Sequence, residues 1–331
     1  MALTEDQTSN PAMALFALGH ADASLSFLKL LPEEIREDVS SILAFRLLGD
    51  LWKQYRIDCK INHGRTLLSM VNGYELRVFT ALIDELAGWP PLLAANAVIR
   101  SHSPALSVDE RRLHDDEIND KRDTVFEICD QIARLPADLD PIKRAGLLID
   151  RCQKLEEQHG FGVCWALNLS AANRFDILGR RKGVPPFPAL FNREMLRFDR
   201  SRTWRDKAWC AALTESAHQL SAAALESFHA VKAFKAQFPD LRRNSRLGAA
   251  HAYLSGIGEL TPTLLARLLG CSEPGARKML RQLMSAGFAL NHPPSPVFEM
   301  SSGFRLGWLG ATWLRSYSLA DAADSELFSD D

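Results

Sequence analysis

The chain has 331 residues, of which 47% are hydrophobic and 24% charged, and it carries a formal net charge of −2 at pH 7. That is enough apolar material for two domains and a substantial core, and it excludes a chain wrapped in a uniform basic field, so any affinity for nucleic acid has to come from local clusters. Six cysteines, Cys59, Cys129, Cys152, Cys164, Cys210 and Cys271, stand far apart with no zinc-binding spacing; this fits buried thiols in a reducing compartment and argues against a disulfide scaffold.

From the N-terminus, PAMALFALG (11–19) is apolar but too short for a membrane helix. It lacks the positive start of a signal peptide and gives way to His20 and Asp22. No membrane segment is expected, and the chain is expected to be soluble and cytoplasmic. Residues Glu33 to Tyr55 place Ile35, Val39, Ile42, Leu43, Leu47 and Trp52 at helical spacing behind Pro32. Arg65 to Leu86 repeats the pattern with Leu67, Leu68, Val71, Leu76, Phe79 and Ile83, and a further helix is predicted after Pro90 and Pro91. The charged stretch SVDERRLHDDEINDKRD then leads into TVFEICDQIARL. Within it His114, Asp115, Asp116, Glu117 and Asp120 lie close in sequence, but neighbouring acids on one helix point in different directions, so a solvated charged face is expected there. Neither a phosphate-binding glycine loop nor a nucleophile elbow occurs. No catalytic residue, metal or cofactor is assigned.

The least regular part of the chain is GRRKGVPPFPALFNREMLRFDRSRTWR (179–205), where Gly179, Gly183, Pro185, Pro186 and Pro188 predict a loop. Arg180, Arg181 and Lys182, with Phe187, Phe191, Phe198 and Trp204 interleaved among basic residues further on, give it a composition seen in nucleic-acid-binding loops, and make it a secondary candidate surface. The alternative is that the aromatics anchor the loop to the core. Trp204 to Phe238 is alanine-rich with no internal proline and predicts a long connecting helix. Its small residues, Ala211, Ala212, Ala222, Ala223 and Ala224, admit another helix at close range, either from the same chain or from the second subunit of a homodimer.

The strongest functional signal is TPTLLARLLGCSEPGARKMLRQLMSAGFAL, Thr261 to Leu290. Thr261 is placed to cap a helix with Pro262 in its first turn, and Leu264, Leu265, Leu268 and Leu269 supply its apolar face. Gly270 suits the left-handed turn that ends it. Ser272 then caps a second helix running toward Gly287, with Ala276, Leu280 and Leu283 on one side and Arg277, Lys278 and Arg281 on another. In helix-turn-helix proteins the first helix braces the second, whose N-terminal half enters the major groove. Ser272, Arg277, Lys278 and Arg281 are therefore the candidate DNA-binding residues, joined by Arg242, Arg243 and Arg246 at the start of an upstream amphipathic helix (Leu241 to Glu259, ended by Gly256 and Gly258). Downstream, Phe288 to Leu290 and Val297 to Met300 are short apolar runs around NHPPSP, which predicts a proline-tipped hairpin, the wing of a winged helix, with His292 at its tip.

The segment RRNSRLGAAHAYLSGIGELTPTLLARLLGCSEPGARKMLRQLMSAG resembles the C-terminal helix-turn-helix domain of a group of rhizobial and related α-proteobacterial proteins, often plasmid-borne. In that group an arginine-rich lead-in, a helix starting near Leu247 and a small-residue turn precede the second helix in the same order. The resemblance covers mainly the last third of the chain; ALFALGHADASLSFL, near the start, resembles the group's N-terminal helix but carries no argument. Some such proteins stand near Fic-type adenylyltransferases, whose activity depends on His-Pro-Phe followed by Gly-Asn-Gly-Arg. Neither motif occurs here, since His292-Pro293 is followed by a second proline.

The fold expected is all-α: an N-terminal helical domain (1–203), a long connecting helix (204–238), a winged helix-turn-helix domain (239–318) and an acidic tail (319–331). The function expected is sequence-specific binding of double-stranded DNA, as a bacterial transcriptional regulator or a plasmid- or mobile-element-associated factor, with a protein or small-molecule signal received by the N-terminal domain. Two alternatives stay open: a winged-helix interaction scaffold in a chromosome- or plasmid-maintenance complex, and a degenerate Fic-like enzyme.

Overall fold

Helices account for nearly all the regular structure in a computed structural model of the chain, which describes residues 10–59, 61, 73–102, 108–136, 138–159, 163–173, 185–187, 189–242, 245–291 and 298–300. The first eight are α1 (Pro11–Lys29), α2 (Glu33–Asp58), α3 (Gly73–Leu86), α4 (Pro90–Ser101), α5 (Val108–Ala133), α6 (Pro141–His159), α7 (Val163–Asn173) and α8 (Arg202–Gln237). Their starts follow local chemistry. The Asn10 side chain accepts from the Ala12 N–H at 2.9 Å with Pro11 in the first turn, and Ser201 accepts from the Trp204 N–H at the start of α8. Asp140 accepts from both Ile142 and Lys143 N–H groups at 3.0 Å, and these bonds hold its carboxyl below the usual range. The charged stretch before Thr124 and the apolar one after it form one continuous helix, α5, on which Asp115, Asp116 and Asp120 are exposed; among the described residues no cluster of His, Cys, Asp and Glu is placed to hold a metal ion.

Helix α2 is the axis of the bundle, packing against α4, α7 and α8. Its Trp52 and Tyr55 meet Phe79 of α3 and Trp165 of α7 with ring centroids 4.8–5.6 Å apart, an aromatic centre that is almost fully buried. Tyr55 keeps its hydroxyl satisfied by donating to Glu75 Oε2 at 3.1 Å and accepting from Lys121 Nζ at 2.6 Å. Helix α8, 36 residues and about 54 Å long, is buried on one side from Trp209 to Phe234 rather than crossing solvent between two bodies. Helix α1 lies along it: His20 Nδ1 is 3.4 Å from Ser221 Oγ and Phe27 meets Phe228 edge-on at 5.7 Å. Ala217 and Ala224 of α8 and Ala14, Ala17 and Ala21 of α1 are buried, so the small residues of α8 admit a helix of the same chain.

The C-terminal part contains α9 (Arg246–Ile257), β1 (Glu259–Leu260), α10 (Pro262–Leu269), α11 (Glu273–Ser285), β2 (Ala289–Asn291) and β3 (Phe298–Met300). The strands form a small antiparallel sheet in the order β1-β3-β2, with Leu260 opposite Phe298 and Leu290 opposite Glu299. Helix α9 starts later than its apolar pattern predicts, because Ser245 caps it by accepting from the Leu247 N–H. Gly258, at φ 91°, is what ends α9; Gly256 sits inside the helix. Its task is packing, since a Cβ there would lie 2.5 Å from Phe45 Cβ and 3.1 Å from the Ile42 carbonyl of α2. The architecture is all-α apart from this sheet, and among the described residues no helix is long and apolar enough to cross a membrane.

Candidate nucleic-acid interface

The two helices over 261–285 form with the caps their sequence specifies. Thr261 accepts from the Leu264 N–H at 3.1 Å, Gly270 turns the chain at φ 56° and ψ 45°, and Ser272 lies 3.4 Å from the Gly275 N–H. The inward side of α11, Ala276, Leu280 and Leu283, is fully buried, and α11 packs against α10 and α9, whose Leu265, Leu268 and Leu254 are buried as well. At about 1.5–3 kcal/mol for each large apolar side chain removed from water, these contacts fix which side of α11 remains outward.

That outward side carries Ser272, Arg277, Lys278 and Arg281, all exposed. Lys278 and Arg281 enter no ion pair among the described residues. Arg277 does: its Nη2 donates to Glu273 Oε1 at 3.0 Å, one turn back, and Glu273 Oε2 accepts from Thr263 Oγ1 at 3.0 Å. Glu273 thus ties the start of α11 to α10 and holds Arg277 in an exposed pair worth about 0.2–1 kcal/mol, little enough for a phosphate to displace it. Arg242 and Arg246 are exposed at the approach to α9, whereas Arg243 and His292 lie outside the described residues. Between residues 239 and 291 the sequence has seven arginines and lysines against three acids, Asp240, Glu259 and Glu273, so this part is basic although the whole chain is slightly acidic.

The bundle holds this surface at a fixed angle by contacts that sequence reasoning did not find. His102, at the end of α4, donates from Nε2 to the Arg267 carbonyl of α10 at 2.7 Å, satisfying a helix-end acceptor from 165 residues away. Arg46 of α2 donates from Nε to the Ser255 carbonyl of α9 at 3.1 Å and pairs with Glu226 of α8 at 2.5 Å. Behind α11, His251 stacks on Phe234 with centroids 4.3 Å apart, meets Phe288 edge-on and shares a 3.2 Å contact with Ser255 Oγ. Burial lowers its pKa to about 3, so it is a neutral core residue at physiological pH. Only a lone His on an apolar helix face marked it in the sequence.

The secondary surface is arranged differently. Arg180, Arg181 and Lys182 lie outside the described residues, but Phe187 and Phe191 are buried, and the backbone at Leu190 and Phe191 is held by Asn168. The Asn168 side chain accepts from the Leu190 and Phe191 N–H groups at 2.6 and 2.7 Å and donates to the Phe191 carbonyl at 2.8 Å. Four of the five arginines that follow are paired: Arg193 with Glu156, Arg197 with Asp199, Arg200 with Glu194 and Arg205 with Asp150. Phe198 stays exposed, and the Arg200 guanidinium lies 4.8 Å from the Trp204 ring. Most of the positive charge of this stretch is met by acids, unlike that of the outward side of α11.

A cleft of about 380 Å³ opens beside it, lined by Gln153, Glu156, Arg193, Leu196, Arg197, Phe198 and Asp199. Near it, Asp58 and Cys164 are buried. Burial, reinforced by the charge of Glu156, pushes Asp58 up to about 7, and burial first, then Asp58, pushes the Cys164 thiol well above its ordinary range. A thiol so raised and already donating to the Phe191 carbonyl at 3.4 Å is a packing group rather than a nucleophile. No family model, curated protein or solved structure matches the chain.

Proposed function

We propose that the protein binds duplex DNA sequence-specifically through a C-terminal winged helix-turn-helix, α11 being the recognition helix and the β2–β3 hairpin the wing, and that it acts as a bacterial transcriptional regulator or a plasmid- or mobile-element-associated factor. The observation that carries this reading is one helix with two unlike sides: Ala276, Leu280 and Leu283 are buried, while Arg277 and Lys278 in its N-terminal half and Arg281 just beyond its midpoint are exposed, behind a Ser272 cap. A helix in a major groove requires that division, with cations reaching phosphates and base edges and the first-turn N–H groups facing a phosphate. Arg242 and Arg246 add positive charge where the chain enters the unit. The bundle serves as the platform that pairs two such units or receives a signal. Selecting bound fragments from the host's genomic DNA tests the proposal: a reproducible site, palindromic if the protein pairs, supports it, while recovery indistinguishable from input DNA removes it and leaves the winged helix as a protein-binding module.

A further inference from the structure

Three side chains are linked across α10 and α11 at the surface assigned to DNA. Glu273 Oε2 accepts from Thr263 Oγ1, in the first turn of α10, at 3.0 Å, and Glu273 Oε1 accepts from Arg277 Nη2 at 3.0 Å. The acid is held from two sides, yet its side chain is 44% exposed and that of Arg277 is 52% exposed. Lys278 and Arg281 have no such brace among the described residues. A free arginine loses rotamer freedom when it binds, and one already held in place loses less. The brace leaves both partners usable. Of the guanidinium's N–H donors only one is committed to Glu273, and the carboxylate keeps lone pairs beyond its contacts with Thr263 and Arg277.

We infer that Glu273 and Arg277 read one G·C base pair as a unit and fix its orientation, an inference that rests on the DNA reading and deepens it. In the major groove guanine presents the O6 and N7 acceptors and cytosine, beside it, the N4 amine. A cation and an anion one helical turn apart, bonded to each other, match that edge: Arg277 donates to guanine while Glu273 accepts from the cytosine amine. The reversed pair sets the carboxylate against guanine acceptors, and an arginine without a brace could follow the guanine to either strand. Glu273 is therefore the positioning residue of the pair and the element that rejects the wrong orientation, a selectivity that comes from repulsion as much as from attraction. On unrelated duplex a phosphate can displace the pair; on the matching base pair it stays intact. Lys278 and Arg281, unbraced, serve the phosphates.

Selection from a randomised duplex pool by the full chain, as wild type, Arg277→Ala and Glu273→Ala, tests it. Both substituted side chains are exposed, so wild-type circular dichroism is expected of each variant. Wild type should enrich a site containing one G·C pair preferred over its reverse by roughly tenfold or more. Arg277→Ala should lose the preference for guanine at that pair. Glu273→Ala should keep guanine there but admit the reversed pair, bringing the orientation preference below about threefold. A Glu273→Ala chain that binds more weakly but keeps every wild-type base preference overturns the inference, since the acid would then only stabilise the helix. A wild-type site in which no G·C pair depends on Arg277 overturns it too. In both cases the DNA reading survives, whereas a wild type that enriches no site removes the two together.

Discussion

The bundle of α1 to α8 and the unit of α9 to β3 bury different kinds of group, and each consequently leaves a different surface outside. The bundle encloses polar anchors with long-range partners: Asn168 holding the 190–191 backbone and Tyr55 between Glu75 and Lys121. Four of the five arginines from Arg193 to Arg205 are paired with acids, and the exposed side of α1 is largely apolar. The C-terminal unit encloses leucines, Ala276 and one neutral histidine, and keeps its cations outside. Polar specificity is thus spent inward in the first region, where it fixes a loop, and outward in the second, where it is available to a ligand.

The contrast breaks most sharply under core substitution. Leu280→Ala should cost about 2–5 kcal/mol and abolish DNA binding, with faster amide exchange in α10 and α11 ahead of the bundle. Asn168→Leu should cost a comparable amount, because the Leu190 and Phe191 N–H groups lose their acceptor at about 1–3 kcal/mol each, yet its exchange signature should fall on residues 187–196 and leave the C-terminal unit unmoved. Next in size is Gly256→Ala, which sets a Cβ against Phe45 and should cost about 1–3 kcal/mol. Since that contact joins α9 to α2, the expected outcome is a broadened or split urea transition; a single transition of wild-type midpoint would contradict the docking.

Acidity should move the two regions in opposite directions, with smaller effect. His251 titrates near 6.5 when unfolded and near 3 when folded, so between those values the unfolded chain takes up a proton that the folded unit refuses, and the C-terminal unit loses stability as pH falls through that window. Asp58 titrates at 3.8 unfolded and about 7 folded, so the folded bundle holds a proton that the unfolded chain has lost, and the bundle loses stability as pH rises from 3.8 toward 7. Region-resolved hydrogen exchange at pH 5 and pH 8, corrected for intrinsic rates, reads both. His251→Phe should remove the acid-side loss and Asp58→Asn the other.

The two helices α10 and α11 were legible nearly residue by residue because their information is local. Thr261, Gly270 and Ser272 act within a few residues of themselves, and the apolar and basic sides of α11 follow from helical periodicity. The strands β2 and β3 were legible as short apolar runs on either side of residues 292–297, whose proline tip lies outside the described residues, but β1 was not, since two residues have no period. What the sequence concealed is long-range. Gly256 looks like a terminator until Phe45, 211 positions earlier, is beside it, and nothing near His102 announces the Arg267 carbonyl. Arg193 and Arg205 look free only while their acids on α6, Glu156 and Asp150, are out of sight.

The most direct test of the central claim is the salt dependence of duplex binding by wild type and by Arg277→Ala/Arg281→Ala, measured on fragments recovered by the genomic selection. Wild-type affinity should fall steeply with salt. The double variant should keep its fold, bind more weakly at every salt concentration, and show a slope of log K against log salt shallower by about 1 for each arginine that neutralises a phosphate. Unchanged affinity and slope in the double variant would contradict the assignment of α11 as the helix that meets DNA.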